Sequence, residues 1–374
     1  MLQSLISMGD ISVVQLITIC AISNGFVFAF LLLQKSENRF ANRFLSLMII
    51  CMCLSFTPYM IDPSVWHTHR WLAWLPFSLS YWIGPSFYFY IRIITNPLRS
   101  FKPSDFWHFS PIVFNYVHSG YHGILGNHNP WPWFHHIAEL LESVAIVSIL
   151  IYMVICLQMI KHHQAQLYDS VSNTEKLDLQ WAKQIIFVII ISFVIILIFL
   201  FVSTGISGMY LFDQWNEYRF SVLLIYACVL YWLSIYGYQQ AQTFKIPIPE
   251  SSTKPIPPGE SEKVISNLCA LMNEEKIYRN PELNLRSLSK AANISERLIS
   301  ETINNVLHKN FHQFVNEYRV VEIQEKLKNP KYSNLKILSL ALDSGFNSKA
   351  TFNRIFKEHT GLTPKQFKSQ NIVK

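Results

Sequence analysis

One short segment of the chain carries side chains that could hydrogen-bond to the edges of nucleic acid bases. In Glu296–Leu307, the apolar residues Leu298, Ile299 and Ile303 recur at helical spacing, which predicts an amphipathic helix. Its opposite face carries Glu296, Arg297, Ser300, Glu301 and Asn304. Arginine pairs with guanine edges, asparagine with adenine, and glutamate with the amino group of cytosine. The alternative is an ordinary solvated helix face.

A second segment, Ser348–His359, has the same form. Phe352, Ile355 and Phe356 predict its buried face, and its outward face carries Lys349, Ala350, Asn353 and Arg354. Lys349 and Asn353 are candidates for base contacts. Arg354 could instead bind a phosphate or join a structural ion pair with Asp343.

Each segment is predicted to be the second helix of a helix-turn-helix. The first unit begins with Leu285–Ala292 and turns at Asn293-Ile294, and Ser295 is a good N-cap for the next helix. The second unit begins with Leu335–Asp343 and turns at Ser344-Gly345.

One longer predicted helix, Phe311–Asn329, joins the two units. Its stretch Phe311–Lys328 would be about 27 Å long at 1.5 Å per residue. Successive major grooves on one face of DNA lie roughly 34 Å apart. The spacing therefore suits two recognition helices that enter adjacent grooves.

Charge divides the chain into two parts. Only 15% of the 374 residues are charged and 51% are hydrophobic. Residues 260–374 hold 18 Lys and Arg against 12 Asp and Glu, a net charge of +6, whereas the first 259 residues hold 13 against 12, a net charge of +1. This distribution excludes a single soluble globule, a disordered protein and a small disulfide-rich scaffold. The basic part favours an anionic partner such as DNA.

The apolar part is predicted to cross a membrane seven times, since a span needs about 20 mostly apolar residues. The candidate spans are Ile11–Gln34, Phe44–Ile61, Trp71–Ile91, Phe106–Gly120, Ser143–Ile160, Gln184–Phe212 and Phe220–Phe244. One set of alternate loops carries nine Lys and Arg residues and the other set carries two. The positive-inside rule then places the N-terminus outside and the C-terminus in the cytoplasm.

The predicted organisation is thus all-α with three parts. Residues 1–241 form a membrane domain with a sensing role, 242–259 form a linker, and 260–374 form a DNA-binding domain. The linker contains five prolines in eighteen residues, which favours an extended spacer.

The basic part closely resembles the AraC/XylS family of bacterial transcription regulators. The resemblance is carried by Ile337–Phe367, with Ala341, Gly345-Phe346, Ser348, Phe352, Arg354, Phe356-Lys357, Gly361 and Thr363-Pro364 at the family's signature positions. It implies base contacts at Arg297, Ser300, Glu301 and Asn304, and double-stranded promoter DNA as the partner. His308 departs from the family, which usually has glycine there; if the backbone is left-handed, this costs roughly 1 kcal/mol.

The apolar part resembles the seven-span module that is fused to such domains. The matching pieces are Ala41–Leu47, Ile83–Arg92, His108–Pro111 and Ser172–Lys183. The module implies no particular ligand. The other expected partners are RNA polymerase, a second copy of the chain and an unknown ligand of the membrane domain.

The predicted outer side of the membrane is rich in histidine. It carries His67, His69, His118, His122, His128, His135 and His136. A metal or pH sensor is one interpretation, but no acidic or cysteine ligand joins them at a recognisable metal spacing. Anchoring at the membrane interface is the alternative, and we predict neither a metal nor a cofactor.

These features together predict a regulator in the bacterial inner membrane that is not an enzyme. The sequence contains no P-loop, HExxH or GxSxG pattern. Two alternatives stay open: a transporter or enzyme whose C-terminal part only regulates it, and a regulator that proteolysis in the linker releases. Gly84-Pro85, which interrupts the third span, marks either a kink or the border of a ligand cavity.

Overall fold

A computed structural model describes residues 7–8, 11–57, 68–69, 79–96, 101–113, 116–117, 133–174, 177–207, 211–240 and 259–371. The chain divides into two compact units. Unit 1 comprises Met1–Lys161 and Leu179–Thr243, and unit 2 comprises His162–Asp178 and Phe244–Lys374. His162–Asp178 thus belongs to unit 2, although it lies within the predicted first domain, residues 1–241. The predicted linker at 242–259 lies almost wholly outside the described residues.

Among its described residues, unit 1 consists of helices and one antiparallel pair of two-residue strands, and its fourth α-helix continues into unit 2. The strands are β1 (Ser7–Met8) and β2 (Ile11–Ser12), and the helices are α1 (Val13–Gln34), α2 (Arg39–Phe56), α3 (Ser80–Thr95), α4 (Trp133–Ser170), α5 (Gln180–Ser207) and α6 (Leu211–Gln239). A 3-10 helix, Pro103–Phe109, lies between α3 and α4.

Three helical stretches of the described chain are long and apolar enough to cross a membrane, rather than the seven predicted. They are Gln15–Gln34, Arg39–Phe56 and Val144–Ser170, and Gln180–Ser192 is a shorter apolar helix. Helix α4 has 38 residues and is thus about 57 Å long at 1.5 Å per residue. A smaller part of the predicted third and fourth spans, including 71–78 and 118–120, lies outside the described residues.

The predicted fourth span is wrong at its start. The span was placed at Phe106–Gly120, but Phe106 lies within the 3-10 helix. The Asp105 carboxylate accepts hydrogen bonds from Arg92 Nη2 at 2.6 Å and from the Lys102 backbone N–H at 2.9 Å. Pro103 and this buried ion pair fix a tight turn where the apolar composition alone suggested a long helix.

Helices of unit 1 approach each other closely at three glycines. A Cβ atom on Gly25 would lie 2.6 Å from Cys53 Sγ, and one on Gly237 would lie 2.5 Å from a Leu45 methyl carbon. At Gly84 the same atom would lie 2.7 Å from the Tyr152 ring. Helix α3 runs without interruption through Gly84-Pro85, so in the described structure this pair is a point of close helix approach.

Unit 2 contains seven further α-helices among its described residues. They are α7 (Glu260–Asn273), α8 (Leu285–Ala292), α9 (Glu296–Asn305), α10 (Phe311–Lys328), α11 (Ile337–Asp343), α12 (Lys349–Thr360) and α13 (Pro364–Asn371). Two short 3-10 helices, Ile277–Arg279 and Pro330–Tyr332, precede α8 and α11.

Local sequence signals set the ends of the helices in both helix-turn-helix units. Asn293, with φ of 55°, ends α8, and the Ser295 hydroxyl accepts a hydrogen bond from the Leu298 N–H to begin α9. The Ser348 hydroxyl caps α12 in the same way through the Thr351 N–H. These are the turns and caps that the sequence predicted.

Candidate nucleic-acid interface

Helix α10 provides one side of each of two hydrophobic cores. Its first half contributes Phe311, Phe314 and Val315 to the core that contains α8 and α9. Its second half contributes Val320, Ile323 and Leu327 to the core that contains α11 and α12. Each helix-turn-helix unit therefore has its own core. The shared helix α10 fixes the position of the first helix-turn-helix unit relative to the second.

The predicted base-contacting residues of α9 are half-buried. Arg297 Nε donates a hydrogen bond to Glu301 Oε1 at 2.6 Å, and the two side chains form an ion pair one helical turn apart. Asn304 Nδ2 lies 3.5 Å from Ser300 Oγ, at the limit of a hydrogen bond. All four predicted residues thus lie on one face of α9, which Ile299 and Ile303 anchor from the buried side.

The predicted residues of α12 lie on its exposed face, opposite the buried Phe352, Ile355 and Phe356. They are Lys349, Ala350, Asn353 and Arg354. Arg354 Nη1 lies 3.3 Å from Glu358 Oε2, one turn along the same helix. The proposed ion pair of Arg354 with Asp343 is replaced by this local pair, because residues four apart on a helix meet on one face.

A buried arginine on α10, which the sequence pattern does not indicate, connects the two helix-turn-helix units. Arg319 is 1% exposed. Its Nε donates to the Tyr278 carbonyl at 2.7 Å and its Nη2 to the Asn280 carbonyl at 2.8 Å. Its guanidinium also lies over the Phe346 ring at 5.9 Å from the centroid. Burial lowers the pKa of Arg319 to about 9, while Glu282 acts in the opposite direction.

Gly345 is required beside this arginine. Its φ is 95°, and a Cβ atom there would lie 2.4 Å from the Tyr278 carbonyl oxygen and 2.9 Å from Arg319 Nε. Any side chain would therefore displace the buried guanidinium. The sequence identified this glycine as a turn residue, and the structure adds the close contact.

An ion-pair network flanks Arg319 on the same helix. Glu322 accepts hydrogen bonds from Arg279 at 2.5 and 3.1 Å and lies 2.8 Å from Lys326 Nζ. Burial by itself would raise the pKa of Glu322, but the hydrogen bonds from Arg279 and Lys326 outweigh it, so that the pKa is lowered. Charged residues stand among the apolar residues of α10, which is compatible with ion pairs of this kind. The sequence does not identify the partner of each charged residue.

Unit 2 also contains a buried histidine, and an aromatic ring from a part of the chain that is distant in sequence packs against it. His312, at the start of α10, is 7% exposed, and its ring centroid lies 5.1 Å from that of Tyr168 in an edge-to-face contact. Burial lowers the pKa of His312 to about 4, and the nearby cations Arg354 and Arg319, together with His359, act in the same direction.

No group of three or more His, Cys, Asp or Glu residues in the described part of the chain is arranged to hold a metal ion. Of the outer histidines, His67, His118, His122 and His128 lie outside that part. The choice between a metal or pH sensor and interfacial anchoring therefore stays a prediction.

Comparison with known proteins places a DNA-binding domain in this unit. Residues 288–370 match the family described as a helix-turn-helix domain. A Proteus vulgaris protein named "Probable transcription factor PqrA" is 26% identical over 113 residues, which cover 30% of this chain and 89% of that protein. A Staphylococcus aureus protein named as an uncharacterized HTH-type transcriptional regulator is 31% identical over 108 residues.

The Staphylococcus match covers 26% of this chain and 14% of that protein. No solved structure matches the chain. The C-terminal part thus contains a helix-turn-helix domain of the AraC type and is similar to transcriptional regulators.

Proposed function

We propose that this protein is a transcription regulator of the bacterial inner membrane that binds promoter DNA sequence-specifically. The observation that carries the proposal is the arrangement of α9 and α12. Each is the second helix of a helix-turn-helix, each presents a polar outward face, and both are anchored on α10. The net charge of +6 in residues 260–374 supplies the attraction to phosphate.

The roles follow from side-chain chemistry. Arg297, Ser300, Glu301 and Asn304 read bases from α9, and Lys349, Ala350 and Asn353 do so from α12. Arg354 binds a phosphate or a base, since its partner Glu358 is exposed and can be exchanged. The Arg297–Glu301 pair must open, or turn as a unit, when Arg297 meets guanine.

Outward-facing apolar side chains support membrane integration of unit 1. Val27 and Phe30 on α1 are 56% and 58% exposed, and Ile151 on α4 is 55% exposed. Exposed surfaces of this kind suit lipid rather than water. We propose that unit 1 spans the membrane with the N-terminus outside, that the DNA-binding domain is cytoplasmic, and that the bundle senses a signal whose ligand is unidentified.

Occupancy mapping in cells tests this function. Tagged full-length protein is crosslinked and its bound DNA sequenced, beside the double variant Arg297→Ala, Asn353→Ala. A matched control, Arg286→Ala, Asn273→Ala, removes the same residue types from exposed positions outside the two recognition helices. Discrete sites that survive in the control and disappear in the test variant are expected.

The two alternatives have their own signatures. Uptake or turnover of a substrate by a protein that occupies no DNA sites would favour a transporter or enzyme. A shorter C-terminal fragment on a blot after a stimulus would favour release by proteolysis.

Reporter fusions at residues 65 and 170 are expected on opposite sides of the membrane. If both reporters lie on one side, the proposed topology is wrong.

A further inference from the structure

Residues that follow the apolar part of α4 are buried in unit 2, the unit that contains the DNA-binding helices. Ser170, Val171, Ser172 and Thr174 are all less than 9% exposed. Val171 pairs with Asn284 in an antiparallel β-bridge at the start of α8. We call the described part of residues 162–178, which comprises 162–174 and 177–178, the docked segment. Its last part, Ser172–Asp178, lies in the stretch Ser172–Lys183 that resembles the seven-span module.

Ser172 is bonded on all its polar atoms. Its backbone N–H and its hydroxyl both donate to the Leu283 carbonyl, at 3.2 and 2.6 Å. Its carbonyl accepts from Asn316 Nδ2 at 3.3 Å, and its hydroxyl accepts from Arg319 Nη2 at 3.1 Å. The docked segment therefore completes the shell of oxygen atoms around the buried arginine that connects the two helix-turn-helix units.

The neighbouring residues reach the faces that are proposed to read DNA. The Asp169 carboxylate lies close enough to the Asn304 side chain on α9 to interact with it. Tyr168 packs on His312, and Arg354 and Glu358 of α12 lie close enough to act on it electrostatically. One short stretch of chain thus lies beside both α9 and α12.

DNA and this stretch cannot occupy the same surface. A carboxylate beside Asn304 competes with adenine for the Asn304 amide and repels the phosphates of an approaching duplex. We propose that residues 162–178 are an intrachain inhibitor that docks across the DNA-binding surface and must leave it before promoter DNA can bind.

This inference rests on the proposed function and supplies its regulation. The docked segment begins within α4, whose earlier residues belong to unit 1. A signal that changes unit 1 can therefore act on docking through continuous helical backbone. The two states are docked without DNA and undocked with DNA, and each signal acts by its differential affinity for them.

Two variants of the full-length chain in lipid nanodiscs set the docked and undocked states. Val171→Cys with Asn284→Cys locks the docked state, because Cα atoms of opposed antiparallel residues lie about 4.5 to 5.5 Å apart, and a disulfide spans roughly 4.4 to 6.8 Å. Val171→Asp releases the segment by placing a charge at a buried site. It adds negative charge, so any gain in DNA affinity is not a gain in attraction to phosphate.

Binding is measured by fluorescence anisotropy with a 40-base-pair duplex pool of random sequence at low salt (about 50 mM). The Val171→Asp chain is expected to bind about tenfold or more tightly than the disulfide-locked chain. Wild type should lie between them, and reductant should return the locked chain toward wild type. Val321→Asp makes the same change at a position that is 46% exposed, and it should bind no more tightly than wild type.

The outcomes are distinct. Failure of the cysteine pair to crosslink, while each single variant stays reduced, would overturn docking. Equal affinities of the locked chain and the Val171→Asp chain would overturn inhibition and leave the proposed function standing. Absence of DNA binding in every form, with the protein intact in the nanodisc, would refute the proposed function and the inhibition together.

Discussion

Arg319 Nη2 donates a hydrogen bond to Ser172 Oγ over 3.1 Å, although the two residues are 147 positions apart in the chain. The same hydroxyl donates to the Leu283 carbonyl at 2.6 Å. A single serine side chain therefore bonds to the region before α8 and to the middle of α10. This gives the docked segment a defined register on the DNA-binding unit, which apolar contact alone would not.

Ser172→Ala should lower the free energy of unfolding of unit 2 by about 1 to 3 kcal/mol, because it leaves a buried cation with one acceptor fewer. Guanidinium titration, followed through thiol labelling of the half-buried Cys269 on α7, measures the change. The control is Ser170→Ala, which removes a buried hydroxyl that donates to Gln166 within its own helix at 2.8 Å. Equal effects of the two substitutions would argue against the role of Arg319.

Acid should destabilise unit 2 through His312. Its pKa falls from 6.5 to about 4 on folding, chiefly by burial. The folded state binds fewer protons than the unfolded state, so stability is full above pH 6.5 and is lost as pH falls towards about 4. The loss should approach about 2 to 3 kcal/mol.

Scanning calorimetry of the chain in nanodiscs between pH 7.5 and about 4 checks this. His312→Gln should flatten the dependence of the melting temperature of unit 2 in that window. His359→Gln, a change at an exposed histidine of α12, should leave most of it in place. A wild-type melting temperature that is constant across the window would contradict the assignment.

Arg297→Ala should cost about 1 to 3 kcal/mol of DNA binding and relax the preference at one base position. Sequencing of fragments selected from a random pool by wild type and variant measures both quantities. Arg286→Ala, on the exposed face of α8, should change affinity without changing the preferred sequence. A uniform loss across all sequences for Arg297→Ala would show that it contacts phosphate.

His308→Gly should stabilise the protein by about 1 kcal/mol, because His308 holds a left-handed backbone that glycine adopts without strain. Its φ is 51°, the conformation that the resemblance predicted for this position. Asn293→Gly, at φ of 55°, is the comparison. Asparagine tolerates this region, so its gain should be smaller, and chemical denaturation of both variants gives the difference.

The helical ends of unit 2 were predictable because their causes are local. Ser295, Ser348 and Gly361 act on backbone groups within four residues, and the predicted helices agree with the structure to within about two residues, which is the ordinary uncertainty of helix ends. The residue faces of α9 and α12 followed from the 3.6-residue period. These signals need no knowledge of the rest of the chain.

The contacts of Arg319 and of the docked segment were not predictable in this way. Ser172 meets Leu283 across 111 positions and Asn316 across 144. No periodicity connects such pairs, and a buried arginine on an amphipathic helix looks in sequence like any exposed one. The start of the predicted fourth span failed for a similar reason, since Arg92 and Asp105 pair across a turn that composition does not reveal.

Residues 162–178 belong to the same chain as the DNA-binding helices, which has a consequence for how the genome is searched. The local concentration of such a segment does not fall on dilution, whereas occupancy by non-specific DNA, with dissociation constants of roughly 10⁻⁴ to 10⁻⁶ M, depends on the DNA concentration. A contact too weak to be measured as a free peptide would therefore still compete with bulk chromosomal DNA. Only a promoter bound much more tightly than random sequence would displace it, so the segment sets the threshold that separates true sites from the rest.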